Sequence, residues 1–198
     1  MRTPECACQR RAVGLLDSQP LFSRAMVVPV PVSISRLCEV PSFAPALAET
    51  HAREWGHLYA GWDEPVALAD FRQERPGANL PTTWVLHRGS GTLLGSVSLV
   101  LDDLPGHSGL NPWLASLYVF PKFRKQGLGK VLVRQALDFL RQQKYPHIYL
   151  FTEGQVPFFS KFGFSVHGPA QANGHPVTIM KWTSPDPTAT AQEIGDSR

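Results

Sequence analysis

Leu114-Ala115-Ser116-Leu117-Tyr118-Val119-Phe120-Pro121-Lys122-Phe123-Arg124-Lys125-Gln126-Gly127-Leu128-Gly129-Lys130 is the stretch on which the fold turns. Its first half, together with the preceding Trp113, reads as a strand over Trp113–Phe120 halted by Pro121. Its second half is a short cationic loop with two glycines, opening a helix over Gly127–Gln143. That helix carries an apolar stripe at Leu128, Leu132, Ala136, Phe139 and Leu140, the spacing of one helical face. The start of a helix offers several backbone N–H groups without intrahelical partners, and its dipole favours an anion by about 0.3–1 kcal/mol. Gly127 and Gly129 let a bulky phosphate approach the backbone because no Cβ intervenes, and Arg124, Lys125 and Lys130 add positive charge. The physical chemistry of the stretch therefore asks for a phosphate or pyrophosphate ligand.

Two familiar phosphate loops do not fit. A P-loop needs glycine where this chain has Arg124 and Ser or Thr where it has Val131. A dinucleotide fingerprint needs glycine at position 132, which is Leu, and belongs to the first strand–helix unit of a chain, which this is not.

Working outward, helical and strand patterns alternate. Val27–Leu37, a β-branched run with prolines, is expected as an edge strand. Ser42 is expected to cap a helix carrying Phe43, Leu47 and Leu58 that ends near Gly61, with a second helix at about Glu64–Glu74. Thr82–Arg88 and Thr92–Leu101 form a hairpin pattern around Gly89-Ser90-Gly91. A polar loop, Asp102–Asn111, leads into the quoted strand. After the long helix come a strand at His147–Thr152, a short helix at Val156–Phe162 ending on Gly163, and a closing pair at Phe164–His167 and Pro176–Trp182. The expected order is β–α–α–β–β–β–α–β–α–β–β.

Arg124-Lys125-Gln126-Gly127-Leu128-Gly129 after Val119-Phe120-Pro121 resembles the signature of the GNAT superfamily of N-acetyltransferases. Phe158-Phe159-Ser160-Lys161-Phe162-Gly163-Phe164 is similar to a second string of that family, and the likeness spans roughly residues 27–182. The resemblance implies an α/β fold, the GNAT acyl-CoA N-acyltransferase fold, in which a mixed, mostly antiparallel sheet with splayed central strands carries helices on both faces. It implies acetyl-CoA as co-substrate and direct attack of a primary amine on the thioester in a ternary complex. Carried over, Leu117, Tyr118 and Val119 offer backbone groups to the pantetheine arm. The segment Arg124, Lys125, Gln126, Gly127, Leu128, Gly129 and Lys130 binds the pyrophosphate. Phe158 and Phe159 flank the lower arm, and Lys161 reaches toward the phosphates. The family's usual Tyr, the acid for the departing thiolate, is Phe159 here. Another donor serves, the thiolate leaves unassisted, or the protein is an acyl-CoA-binding sensor without turnover.

An ammonium has no lone pair, so a base must take a proton before attack; a positioned one contributes roughly 10²–10⁴-fold. Glu153 and Asp103 are the candidate bases, with Glu54 as a third and a water chain as the alternative. Trp55, His57, Asp102 and Asp103 are candidate acceptor-binding residues, joined by Tyr59 and Trp62 as possible pocket walls. The acidic pair favours a cationic acceptor, whether a small molecule or a protein N-terminus.

Composition sets the remaining bounds. A chain of 198 residues with 43% apolar and 18% charged residues suits one folded domain, expected at 26–183 between a disordered leader (1–25) and a disordered tail (184–198). A net charge of +3 gives no reason to invoke nucleic acid. No stretch approaches the roughly 18 apolar residues of a membrane helix, so no membrane partner is expected. Cys6, Cys8 and Cys38 are odd in number and no metal-ligand spacing accompanies them. A reducing, cytoplasmic setting and no metal site are expected, with the chain a monomer or homodimer.

Overall fold

The computed structural model describes residues 31–185 apart from positions 75, 78 and 79. The expected leader, residues 27–30 of the expected first strand and most of the expected tail lie outside the described residues. Among the described residues, seven strands and four helices follow one another as β1 (Val32–Arg36), α1 (Ala44–Trp55), α2 (Glu64–Gln73), β2 (Thr82–Arg88), β3 (Thr92–Val100), β4 (Trp113–Val119), α3 (Leu128–Gln142), β5 (His147–Thr152), α4 (Val156–Ser160), β6 (Ser165–Ala172) and β7 (His175–Thr183). The strands make one sheet in the order β1-β2-β3-β4-β5-β7-β6. Only β4 and β5 run parallel; every other pairing is antiparallel.

Alternation along the strands assigns the faces. Trp84 and Leu86 of β2, Ile148 and Leu150 of β5, and Met180 and Trp182 of β7 point into one core. There they meet the buried stripe of α3, Leu132, Val133, Ala136, Leu137, Phe139 and Leu140. Val85, between Trp84 and Leu86, faces the other way, onto Leu37 and Phe43 of the turns before α1 and Ala44 and Leu47 at its start, with Leu68 and Phe71 of α2 beside them. Tyr149, between Ile148 and Leu150, also faces away from α3, into a third cluster with Leu58, Leu104, Trp113, Val177 and Ile179. A period of two on the strands and of 3.6 on α3 thus yields a sheet covered on both faces.

Two local departures from the sequence expectations have simple causes. Ser42 makes no side-chain cap; it lies inside a 3-10 turn, Pro41–Phe43, that runs straight into α1. The expected long first helix stops at Trp55 and continues as a 3-10 turn, Gly56–Leu58, because glycine weakens a helical run. Asp63, by contrast, caps α2, its side chain accepting from the Val66 amide at 3.1 Å.

The feature that positions the site is the parting of β4 from β5. Their ladder consists of the single pair Trp113↔Tyr149, next to the Tyr149 amide bonding to the Pro112 carbonyl at 2.9 Å. Beyond it the two strands separate. β4 is bent where this begins: its register with β3 shifts between Ser96 and Ser98, and Ser116 takes a left-handed φ of 51°. Gly95 makes the bend possible, since a Cβ there would stand 2.4 Å from the Tyr118 carbonyl oxygen. The sheet is therefore continuous at one end and open at the other.

Candidate active site

The opening is a cavity of about 830 Å³ running from the start of α3, along β4, to the loop before β4 and the end of β5. It falls into two parts, one beside the quoted loop and β4 and one around the end of α1 and the end of β5, here called the coenzyme half and the acceptor half after the sequence expectation.

The first half is the quoted loop. Pro121–Phe123 forms a 3-10 turn, after which Arg124 folds back, its Nε donating to the Val119 carbonyl at 2.9 Å and its guanidinium lying 5.6 Å from the Tyr118 ring centre. Lys125 and Gly127 take left-handed φ values of 62° and 80°. Alternating the backbone hand in this way turns successive amides toward one concave side, an anion-binding nest. The count of donors agrees. After Arg124 the next amide to find a backbone carbonyl is that of Lys130, on Gly127 at 2.9 Å. Among the described residues, the amides of Lys125, Gln126, Gly127, Leu128 and Gly129 have no such partner. Lys125, Gly127, Leu128, Gly129 and Lys130 all line the cavity. Gly129 faces Phe158 and Val119, whose nearest carbons would lie 3.5 and 3.8 Å from an added Cβ.

Along β4, Leu117, Tyr118 and Val119 line the cavity where β5 no longer pairs with the strand, and Ser116, Ala115 and Leu114 extend the wall. Opposite stand Phe158 and Phe159. Phe159 is 7% exposed and packs against Phe158 and Phe164, with ring centres at 5.1 and 5.8 Å. Lys161 is exposed and outside the cavity wall, as is Gln126.

The second half gathers Glu54 and Trp55 from the end of α1, Leu58 and Tyr59 from the turn after it, Asp103, and Phe151, Thr152 and Glu153 from the end of β5. The two candidate bases have different surroundings. Asp103 is half-buried and lines the cavity. Its burial pushes the pKa up to about 7, against a smaller downward pull from the Tyr59 hydroxyl, which donates to Oδ1 at 2.6 Å. Burial, then the neighbouring carboxylate, push Tyr59 itself strongly upward, so the phenol stays a donor. Glu153 is 46% exposed and lies 3.3 Å from His57 Nε2. Asp102 and His57 are exposed and do not line the cavity. Trp62 also stays outside the wall, packing its ring 5.4 Å from Tyr59 and donating its Nε1–H to Asp70 at 3.0 Å.

Behind the acceptor half sits His51, 1% exposed, its Nε2 3.0 Å from Ser96 Oγ and its ring 5.0 Å from Trp55. Burial lowers its pKa to about 3, so it is neutral in the folded protein. Leu58, Phe151 and His51 were not singled out from the sequence. Each lies on a different element, and only the folded sheet brings them to one place.

The chain matches the family model described as Acetyltransferase (GNAT) family over residues 44–164 and belongs to that family. Its co-substrate is acetyl-CoA. The fold agrees with solved structures. The PaiA N-acetyltransferase of Thermoplasma acidophilum, in complex with coenzyme A, aligns at 16% identity over 78% of this chain and 99% of its own, TM-score 0.55. A GNAT-family acetyltransferase of Streptococcus pneumoniae aligns at 17% identity over 77% and 99%, TM-score 0.56. Ard1 of Thermoplasma volcanium aligns at 16% identity over 78% and 99%, TM-score 0.56. No curated protein matches the chain. Among the described residues, no helix is long and apolar enough to cross a membrane.

Proposed function

We propose that this acetyltransferase moves the acetyl group of acetyl-CoA to a primary amine, with Asp103 as the base that frees the amine. The row of five open amides from Lys125 to Gly129 supports placing the pyrophosphate there. The uncovered side of β4 beyond Trp113 accommodates the pantetheine arm, with Phe158 and Phe159 against it. Arg124 serves this arrangement mainly as a brace between loop and strand, because its Nε is already engaged by Val119.

The observation that carries the catalytic assignment is the half-buried Asp103 carboxyl on the cavity wall, with Tyr59 on one oxygen. The acceptor enters as an ammonium. The Asp103 carboxylate takes one of its protons, and the freed nitrogen lone pair attacks the acetyl carbonyl carbon. The C–N bond forms, the nitrogen gives up its second proton, the C–S bond breaks, and the sulfur leaves as a thiolate that takes up the released proton. A base with a pKa near the working pH is the most effective compromise between ionisation and basicity. Glu153, exposed and beside His57, is less suited to this role. Trp55 and Tyr59 supply the aromatic wall.

A coenzyme-release assay over a panel of amines, run from pH 5.5 to 8.5, tests the assignment. Turnover should rise through pH ~7 as Asp103 ionises, and Asp103→Asn should lower kcat by about 10²–10⁴-fold while leaving acetyl-CoA binding intact. An Asp103→Asn variant with near-native kcat on a good acceptor would move the role to Glu153 or a water chain.

A further inference from the structure

Separately from the transfer reading, we propose that His57, Glu153 and His175 form a binding site for a divalent cation of the zinc class at the rim of the acceptor half. The three residues come from distant parts of the chain: the 3-10 turn after α1, the residue following β5 and the first residue of β7. One ligand atom from each lies within 4.8 Å of the other two, and no ion is present. His57 Nε2 and Glu153 Oε2 are 3.3 Å apart, and the His57 and His175 rings are 5.0 Å apart, edge to face. Bond lengths of about 2.0–2.1 Å in tetrahedral geometry put neighbouring ligand atoms about 3.3 Å apart. One ligand pair thus already has the required spacing, and the exposed side chains close the remainder by rotation about their χ angles. The backbone beneath is tied in place, since Asn173 in the β6–β7 turn donates its Nδ2 to the His57 carbonyl at 3.0 Å.

Two imidazoles and one carboxylate select Zn²⁺, Co²⁺, Ni²⁺ or Cu²⁺ over Mg²⁺ and Ca²⁺, which prefer all-oxygen sets. Three protein ligands leave a fourth position for water or another donor. Because Glu153 also lines the cavity, a cation held here sits at the acceptor entrance and fastens the β6–β7 hairpin to the turn after α1. An exposed His–Glu ion pair is the competing account of the same geometry, and it predicts no metal affinity.

The decisive measurement is titration of the tag-free full chain, in a Cys6→Ser/Cys8→Ser background that removes the closely spaced pair of thiols, with Co²⁺ followed by absorption and then displacement by Zn²⁺. Saturable one-to-one binding is expected, resistant to excess Mg²⁺. His175→Ala and Glu153→Gln should each weaken it at least about tenfold, the least that losing a ligand should cost when outer partners alone cost that much. A coenzyme A melting shift retained in His175→Ala shows that the variant is folded. Failure to saturate below millimolar metal, or binding that survives His175→Ala unchanged, overturns the site.

Discussion

The two halves of the cavity are built in opposite ways. The coenzyme half comes largely from one uninterrupted stretch, β4 through the first turn of α3, and works through backbone: a bent strand left unpaired on its β5 side beyond Trp113, and five open amides. The acceptor half is assembled from the end of α1, the turn after it, the loop before β4 and the end of β5, and it works through side chains. A ligand common to a whole family is best held by groups every residue possesses. Local side-chain identity then matters little except where a Cβ would intrude. An acceptor peculiar to one protein must be met by side chains, which can vary from chain to chain without disturbing the sheet. Of the cavity's own side chains, Asp103 and Tyr59, with His51 behind them, carry clear pKa shifts, and all three belong to the acceptor side.

The largest effect should come from breaking the backbone half. Acetyl-CoA at about 100 times its Kd should stabilise the fold by about 2.7 kcal/mol, seen as a rise in melting temperature. Gly129→Asp directs a carboxylate between Val119 and Phe158, into the space beside the open amides, and should erase that rise. A Gly129→Asp protein that still melts higher with acetyl-CoA would dissolve the division between the halves, because the loop would not be where the phosphates bind.

A smaller, pH-dependent effect should mark the side-chain half. His51 has a folded pKa of about 3 against an ordinary 6.5, so its neutral burial favours the fold fully above pH 6.5. As pH falls from 6.5 toward 3, the unfolded chain takes up a proton that the native state refuses, and about 1.4 kcal/mol is lost per pH unit. Asp103, raised from 3.8 to about 7, runs the other way: its protonated burial favours the fold below 3.8, and that contribution is lost as pH rises through 7. Between pH 4 and 6.5 the two slopes oppose. Urea midpoints at pH 7, 6 and 5 should therefore show His51→Gln gaining on the natural protein as pH falls, and Asp103→Asn losing ground. Differences that stay flat across this range would mean that neither group is buried as described.

The same division explains what could be read without a structure. The order of elements was legible because the strands alternate and α3 has a clear apolar stripe; β2 and β5 fall on the expected residues, Thr82–Arg88 and His147–Thr152. The family was legible because its motif is contiguous. Asp103 could be singled out as an acid near the site, but not ranked above Glu153, because burial by neighbours is a tertiary property. The His57–Glu153–His175 cluster was hidden for a related reason: its members are 96 and 22 positions apart, which no spacing rule along the chain recognises. The β4 bend was hidden too, since the sequence shows Gly95 and Ser116 as ordinary strand residues and only the register shift between β3 and β4 reveals their use.

The smallest effect concerns Phe159, which stands where the two halves meet and where the family pattern has a phenol. The ring lines the cavity but is 7% exposed, held by Phe158 on one side and Phe164 on the other. A hydroxyl added there either reaches the departing sulfur or is buried without a partner at a cost of about 1–3 kcal/mol. If it reaches the sulfur, the gain is limited by how much help the leaving group needs. A thiol of pKa ~8.5 leaves as a weakly basic anion near neutrality, so a missing acid should cost less than the usual 10²–10⁴-fold. The natural protein should accordingly turn over its proper amine, and Phe159→Tyr should change kcat by less than about tenfold, with any rise confined to kcat and the acetyl-CoA melting shift preserved. The opposite pattern would favour the second reading, a coenzyme-binding sensor: tight acetyl-CoA binding, no coenzyme release with any amine, and activity appearing only in Phe159→Tyr. In that event the backbone half would retain its assignment, and Asp103 would be a half-buried acid in a chamber that takes no acceptor.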